Sequence, residues 1–393
     1  MDPRKNPFAP GAGTQPPELA GRDTILERSE IALDRIRSGL AARSFIFYGL
    51  RGVGKTVLLN RIRTESEARG FATLFIEAPE DRSLPAMLAP HLRALLQRLS
   101  RSAKIKHELD RAMRVLAGFI RALKVKFSDI EVAIDLPAEF GVADSGDLEH
   151  DLTELLQVVG EAAKATDNAV VLFIDELQYI SEQGLAALIT AMHNVSQRRL
   201  PLVMIATGLP NLLGQMGKAK SYAERLFEFV PIGPLDATAA KDAIRKPVND
   251  HGARITAEAL DQIIFDTQGF AYFLQEWGKH AWNLALTGEI GIEDANNAKL
   301  EALYELDASF FRVRFDRLTP KEKQYLSAMA ALGEGSHRSG EIARRLGKPV
   351  SQFGPVRASL QVKGMIYSPS HGETVFTVPL FEGFLMRNIP VAE

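Results

Sequence analysis

Eight consecutive residues, Gly49-Leu50-Arg51-Gly52-Val53-Gly54-Lys55-Thr56, combine the side chains and the backbone freedom needed to hold a chain of phosphates. Glycines let the main chain wrap closely, so its N–H groups and the start of a following helix face an anion. Lys55 would reach the outer phosphates, the Thr56 hydroxyl would ligate a magnesium ion, and Val57 continues the same turn. A metal held this way needs a second anchor, and an attacking water needs a base. Asp175-Glu176, closing the apolar run Ala169 to Ile174, offers both: Asp175 for the metal and Glu176 for the water. The plainer alternative is a solvated acidic pair that merely ends a strand.

Two further residues have open readings. Thr207 ends the apolar run Leu202 to Ala206, where its hydroxyl could meet the terminal phosphate or the water, or could simply begin the turn Thr207-Gly208-Leu209-Pro210. Arg225 could be lent to a neighbouring subunit's nucleotide, where it would stabilise transition-state charge, or could pair locally with a carboxylate. No Asn-Lys-x-Asp guanine-reading motif follows, so the expected cofactors are ATP and Mg²⁺ and the expected activity is ATP hydrolysis.

These residues need elements to position them. Ser44 to Tyr48 reads as a strand entering the glycine loop, with a helix from Thr56 to Arg69 behind it, which is the context a phosphate loop demands. Phe71 to Ile76, Ala169 to Ile174, Leu202 to Ala206 and Phe229 to Ile232 are further strands; helical stretches lie between them, at Leu84 to Leu99, Leu152 to Ala165 and Glu182 to Ser196. An amphipathic helix precedes them from Asp23 to Leu40. Strands alternating with helices imply a parallel sheet with crossovers, hence an α/β domain over about residues 21–235. The first 20 residues, with five prolines and two glycines, read as an extended arm of little consequence for stability.

An insertion at about 100–150 interrupts this pattern. Residues 98–126 hold nine Lys or Arg against Glu108 and Asp110. Their apolar positions keep helical periodicity, so the window is a helix with either a solvated basic face or a polyanion contact. Residues 125–136 alternate like a hairpin. Downstream, 236–315 is helical, and 316–393 reads as three helices followed by a hairpin, the layout of a winged helix-turn-helix. Eight basic residues stand against three acidic ones within 321–371. Arg344, Arg345, Ser351, Gln352 and Arg357 fall on or beside the expected recognition helix, so double-stranded DNA is one candidate ligand and a protein partner the other.

Composition bounds the rest. With 393 residues, 46% of them hydrophobic and 24% charged, the chain can close a large core. No apolar run spans a bilayer, so a soluble, cytoplasmic protein with no membrane partner is expected. A net charge of −2 supplies no whole-molecule attraction to polyanions, and zero cysteines exclude disulfides, thiolate metal sites and cysteine nucleophiles.

Taken together, GLRGVGKT at 49–56, VLFIDELQ at 171–178, ATGLPNL at 206–212, ERLFEFVPIGPL at 224–235 and Gly21-Arg22 resemble the AAA+ ATPases. The resemblance is to the branch of origin-recognition initiators, with similarity to the STAND-type archaeal ATPases and to transposition regulators; it covers about residues 21–390. It implies a P-loop sheet of strand order 5-1-4-3-2, a helical lid including 268–282, a C-terminal winged helix, adenine contacts near Gly21 and Arg22, and Arg225 as an arginine finger. The lid carries Gly269-Phe270-Ala271-Tyr272 where many members place a second arginine sensor. Two functions follow as expectations: an ATPase that assembles or changes shape with ATP while its winged helix holds DNA, often as a homo-oligomer, or a STAND-like switch whose C-terminal module binds a protein.

Overall fold

The computed structural model describes residues 1–11, 13–79, 82–102, 107–123 and 137–388. Five parallel strands, β1 (Ser44–Tyr48), β2 (Ala72–Glu77), β3 (Val170–Asp175), β4 (Leu202–Gly208) and β5 (Phe227–Pro231), form one sheet in the order β2-β3-β4-β1-β5. This is the expected 5-1-4-3-2 order, and with it the P-loop α/β architecture. Strands β3 and β4 are buried along their whole length, which is why VVLFID and LVMIATG are continuous apolar runs without alternation. Because every strand points the same way, the loop after Tyr48, Asp175 at the end of β3 and Thr207 near the end of β4 come to one edge.

Helices α1 (Asp23–Arg37) and α2 (Lys55–Ala68) lie against one face of the sheet; α3 (Leu84–Ser102), α4 (His107–Ala122), α5 (Leu148–Ala165) and α6 (Glu182–Gln197) cover the other. The insertion is therefore part of the layered body. Leu109, Val115, Leu116 and Phe119 of α4 are buried, while Arg111 pairs with Glu139 and Glu161 at 3.1 and 3.2 Å and Arg114 reaches Glu139 at 3.4 Å. Acidic partners thus absorb part of the basic face. The expected hairpin at 125–136 lies outside the described residues, as do Lys104, Lys106, Lys124 and Lys126.

Short helices α7 (Leu212–Ala219) and α8 (Ala223–Leu226) lead into β5. Beyond it come α9 (Ala237–Asp250), α10 (Ala257–Thr267), α11 (Ala271–Leu284) and α12 (Ile292–Leu306), with a two-residue parallel pair, β6 (Arg254–Ile255) and β7 (Glu289–Ile290), that the helical patterning hid. Helix α12 runs through a π-helical turn, Asp307–Phe311, into α13 (Arg312–Asp316). The C-terminal segment holds α14 (Pro320–Ala330), β8 (His337–Arg338), α15 (Ser339–Arg345), α16 (Gly354–Val362), β9 (Ile366–Tyr367), β10 (Glu373–Phe376) and α17 (Phe381–Asn388). A capping box, Thr319 with Glu322, starts α14. Strands β8-β10-β9 form a small antiparallel sheet, and α17 places Phe381 and Phe384 against Phe311 at ring separations of 5.8 and 5.5 Å.

The N-terminal arm corrects an expectation. Phe8 is 3% exposed, Trp282 donates its indole N–H to the carbonyl of Asp2 at 3.0 Å, and Asn6 donates to the carbonyl of Lys279 at 2.9 Å. Further along, Glu18 pairs with Lys246 of α9 at 2.9 Å. One buried aromatic, worth about 2–3 kcal/mol of burial, outweighs the loose composition around it.

Candidate nucleotide site

The phosphate loop is held from four directions. Gly49 donates to the carbonyl of Gly208 on β4 at 3.2 Å, and a Cβ at Gly49 would lie 2.0 Å from the carbonyl of Ile232, so no larger residue fits. Gly54 has φ +91° and caps α2, which opens at Lys55. Arg22, nearly buried, donates to the carbonyls of Val53 at 3.2 Å and Gly233 at 2.7 Å; burial lowers its pKa, with Asp236 opposing. Its neighbour Gly21 is exposed and packs on Ala239. From the lid, Tyr272 donates its N–H to the carbonyl of Gly52 at 2.9 Å; from the C-terminal segment, Thr377 accepts the N–H of Arg51 at 3.0 Å.

Inside this frame, the buried Lys55 ammonium donates to the carbonyls of Gly49 and Leu50, both at 2.9 Å. Burial brings its pKa down to about 8, against the attraction of Glu176 and Asp175. Lysine and acidic pair therefore share one electrostatic neighbourhood, and Lys55, Thr56, Val57 and Glu176 line one cavity of about 320 Å³.

Asp175, 3% exposed, accepts the main-chain N–H of Glu176 at 2.9 Å and the hydroxyl of Thr207. Thr207 thus sits beside the acidic pair and grips the Asp175 carboxylate, a contact that neither the free sensor nor the plain turn requires. Glu176 sits at φ +54°, an uncommon conformation for a residue with a side chain, and the geometry turns it off the strand into the cavity. Arg51 lies 3.7 Å from its carboxylate. Gln178, missed in the sequence, donates to Glu176 and accepts the N–H of Leu209 at 3.0 Å, tying Glu176 to the loop after β4.

Arg314 was also missed. It comes from α13, at the end of the helical segment 236–315, lies over the Phe310 ring at 3.9 Å and lines the cavity. Burial, and then the nearby Arg51, lower its pKa to about 10. RVRFD carries no motif, so only tertiary packing reveals this cation where the lid itself has Tyr272 stacked on Phe310 at 5.0 Å. The C-terminal segment adds Gly364, whose Cβ would come 3.0 Å from the Arg51 guanidinium and 3.4 Å from the Tyr179 hydroxyl, itself bonded to Arg51 at 2.8 Å.

Other expected residues stand apart. Arg225 is exposed and makes no side-chain bond or ion pair among the described residues. It precedes β5, whose Phe227 is level with Ser44 at the start of β1; at about 3.3 Å per residue it is roughly 16 Å from its own phosphate loop. Arg344, Arg345, Ser351 and Gln352 are exposed, whereas Arg357 is half-buried and donates to Ser368 at 3.1 Å.

The donors suit a hard divalent cation: a hydroxyl at Thr56 and a carboxylate at Asp175 are oxygen ligands of the kind magnesium takes beside phosphate oxygens and waters. When bound there, magnesium would neutralise phosphate charge; the chain's own part is to hold those oxygens.

Comparison with known proteins agrees with this geometry. Residues 18–205 match the AAA ATPase domain family. This stretch is an AAA ATPase domain. Residues 308–385 match a family described as a domain of unknown function, and no curated protein matches the sequence. Among solved structures, the AAA domain and its downstream segments are similar to the Walker-type ATPase PABY2304 of Pyrococcus abyssi, at 14% identity and a TM-score of 0.60, covering 95% of this chain and 97% of that one. That likeness extends the shared fold beyond the AAA domain. Two others are the Aeropyrum pernix Orc1 protein in complex with DNA (14% identity, TM-score 0.47, 95% and 94% covered) and Cdc6p from Pyrobaculum aerophilum (16%, 0.44, 98% and 97%). No helix among the described residues is long and apolar enough to cross a membrane.

Proposed function

We propose that this chain is a Mg²⁺-dependent ATPase whose nucleotide state sets how its C-terminal segment docks. Lys55 grips the phosphates, Thr56 and Asp175 hold the metal, and Glu176, oriented by Gln178, polarises the attacking water. The observation that carries the reading is the shared cavity of Lys55, Thr56 and Glu176, closed by Tyr272, Phe310 and Arg314 of the helical segment 236–315. Coupling follows from the bond between Arg51 and Thr377: a loop that rearranges around phosphates shifts a partner of the C-terminal segment. Arg225, remote from its own site, serves a neighbouring subunit in a homo-oligomer.

The C-terminal segment, read as a winged helix over 316–393, presents Arg344, Arg345, Ser351 and Gln352 to double-stranded DNA. A second reading, a STAND-like switch releasing the segment to a protein partner, is favoured by the same docking on the phosphate loop. A gel-shift series over salt separates them: DNA association predicts duplex binding by ATP-loaded protein that weakens steeply with salt and is lost on Arg344→Ala/Arg345→Ala. No binding at low salt sinks the DNA reading and leaves the switch. ATP turnover in the presence and absence of Mg²⁺ tests the enzyme itself.

A further inference from the structure

The stretch from Ile342 to Gly372 contains no acidic residue and five basic ones, Arg344, Arg345, Lys348, Arg357 and Lys363. Two of the five are engaged inside the segment. Lys363 pairs with Glu322 at 2.7 Å, and Arg357 donates to Ser368 at 3.1 Å while its Nε is buried. The other three, at the end of α15 and in the turn after it, are exposed and make no side-chain bond or ion pair among the described residues. That rim matches a row of phosphates, which take cations whatever the base sequence.

The next helix, α16, presents a different chemistry. Ser351 and Gln352 lie exposed in the turn just ahead of its N-terminus, and their side chains have no partner among the described residues. Along the helix, Pro355, Ala358 and Val362 stand three and four residues apart on one exposed face, while Leu360 is buried on the other. The exposed face thus bears an amide, a hydroxyl and apolar carbon, and no charge. In the major groove each base edge asks for a particular partner: guanine for Arg or Lys, cytosine for an acidic acceptor, adenine for the paired donor and acceptor of an amide, and the thymine methyl for apolar contact. The face of α16 lacks the first two and carries the last two. From Gln352 to Ala358 is about 9 Å of helix, or roughly three base-pair steps.

We infer that α16 reads A·T base pairs in the major groove, with Gln352 on adenine and Ala358 and Val362 on thymine methyls, while Arg344, Arg345 and Lys348 hold the flanking phosphates. This rests on the DNA reading above and adds a base preference to it.

The test is a fluorescence-anisotropy titration of the full chain, loaded with a non-hydrolysable ATP analogue at low salt, against four duplexes of equal length. These are mixed A·T, mixed G·C, the A·T duplex with uracil for every thymine, and mixed inosine·cytosine. Inosine·cytosine shows guanine's acceptors in the major groove but lacks guanine's minor-groove amine, so it separates readout in the two grooves. The A·T duplex should bind about tenfold tighter than G·C, removal of the methyl by uracil should cost about threefold, and inosine·cytosine should bind as weakly as G·C. Gln352→Ala should erase most of the preference, whereas Arg344→Ala/Arg345→Ala should weaken every duplex alike and flatten the salt dependence. All three positions are exposed, and circular dichroism checks that each variant folds. Equal affinity for A·T and G·C, inosine·cytosine binding like A·T, or a preference intact in Gln352→Ala overturns the inference. Absence of binding to any duplex would instead overturn the DNA reading itself and leave this face to a protein partner.

Discussion

The main-chain N–H of Arg51, in the middle of the phosphate loop, donates to the carbonyl of Thr377 in the C-terminal segment at 3.0 Å. Arg51 also reaches Tyr179 and Glu176 with its guanidinium, so one residue of the phosphate loop touches both the end of β3 and the C-terminal segment. Gly364 packs on the same guanidinium at φ +61°.

That junction gives the first prediction. Gly364→Val places a branched side chain against Arg51 and Leu209, in a backbone conformation that valine resists. The C-terminal segment should undock, seen as faster proteolysis within 312–338 and a changed affinity for ATP. A digestion pattern identical to wild type, with and without a non-hydrolysable ATP analogue, would show that the contact holds nothing in place.

Glu176→Gln keeps the shape of the site and removes the carboxylate proposed as the base. ATP binding should stay within about threefold of wild type while single-turnover hydrolysis falls roughly 10²- to 10⁴-fold. Gln178→Leu should slow the same step less, because Glu176 remains but loses its tie to the loop after β4. Unchanged turnover in Glu176→Gln would remove it as the base.

Arg225→Ala and Lys55→Ala should each be inactive alone and partly active when mixed. The mixture contains interfaces with an intact loop from one subunit and an intact arginine from the other. Absence of any recovery, in a mixture shown by sedimentation to form mixed oligomers, would return Arg225 to a local role.

The sheet and the placement of the glycine loop in the candidate site were legible because their signals are local. A buried parallel strand writes itself as an unbroken apolar run, and the loop's glycines, Lys55, Thr56 and Asp175 sit at fixed places relative to such runs. What escaped is what distant segments contribute. Arg314 and Gln178 carry no motif, and Phe8 lies among prolines that read as a free arm; each gains its role from a partner far along the chain, Arg51, Leu209 and Gly278 respectively. The same holds for Thr207, legible as a site residue but not as a donor to Asp175.

The last prediction concerns acid stability. Glu322 is 3% exposed; burial alone would raise its pKa, but bonds from Lys363 at 2.7 Å, Ser359 at 2.6 Å and the Thr319 N–H at 2.7 Å bring it down to about 2. In the unfolded chain the group titrates near its ordinary value of 4.5. A carboxyl whose folded pKa is depressed stabilises the fold fully above the unfolded value and progressively less as pH falls toward the folded one. Wild type should therefore be more stable than Glu322→Gln at pH 6, and the gap in urea midpoint should shrink steadily between pH 4.5 and 2. Because Glu322 is buried and accepts three hydrogen bonds, one of them from the half-buried Lys363 ammonium, the gap at pH 6 should exceed that of an exposed ion pair, about 1 kcal/mol at most. A gap that stays constant down to pH 2 would mean that Glu322 contributes packing and not charge.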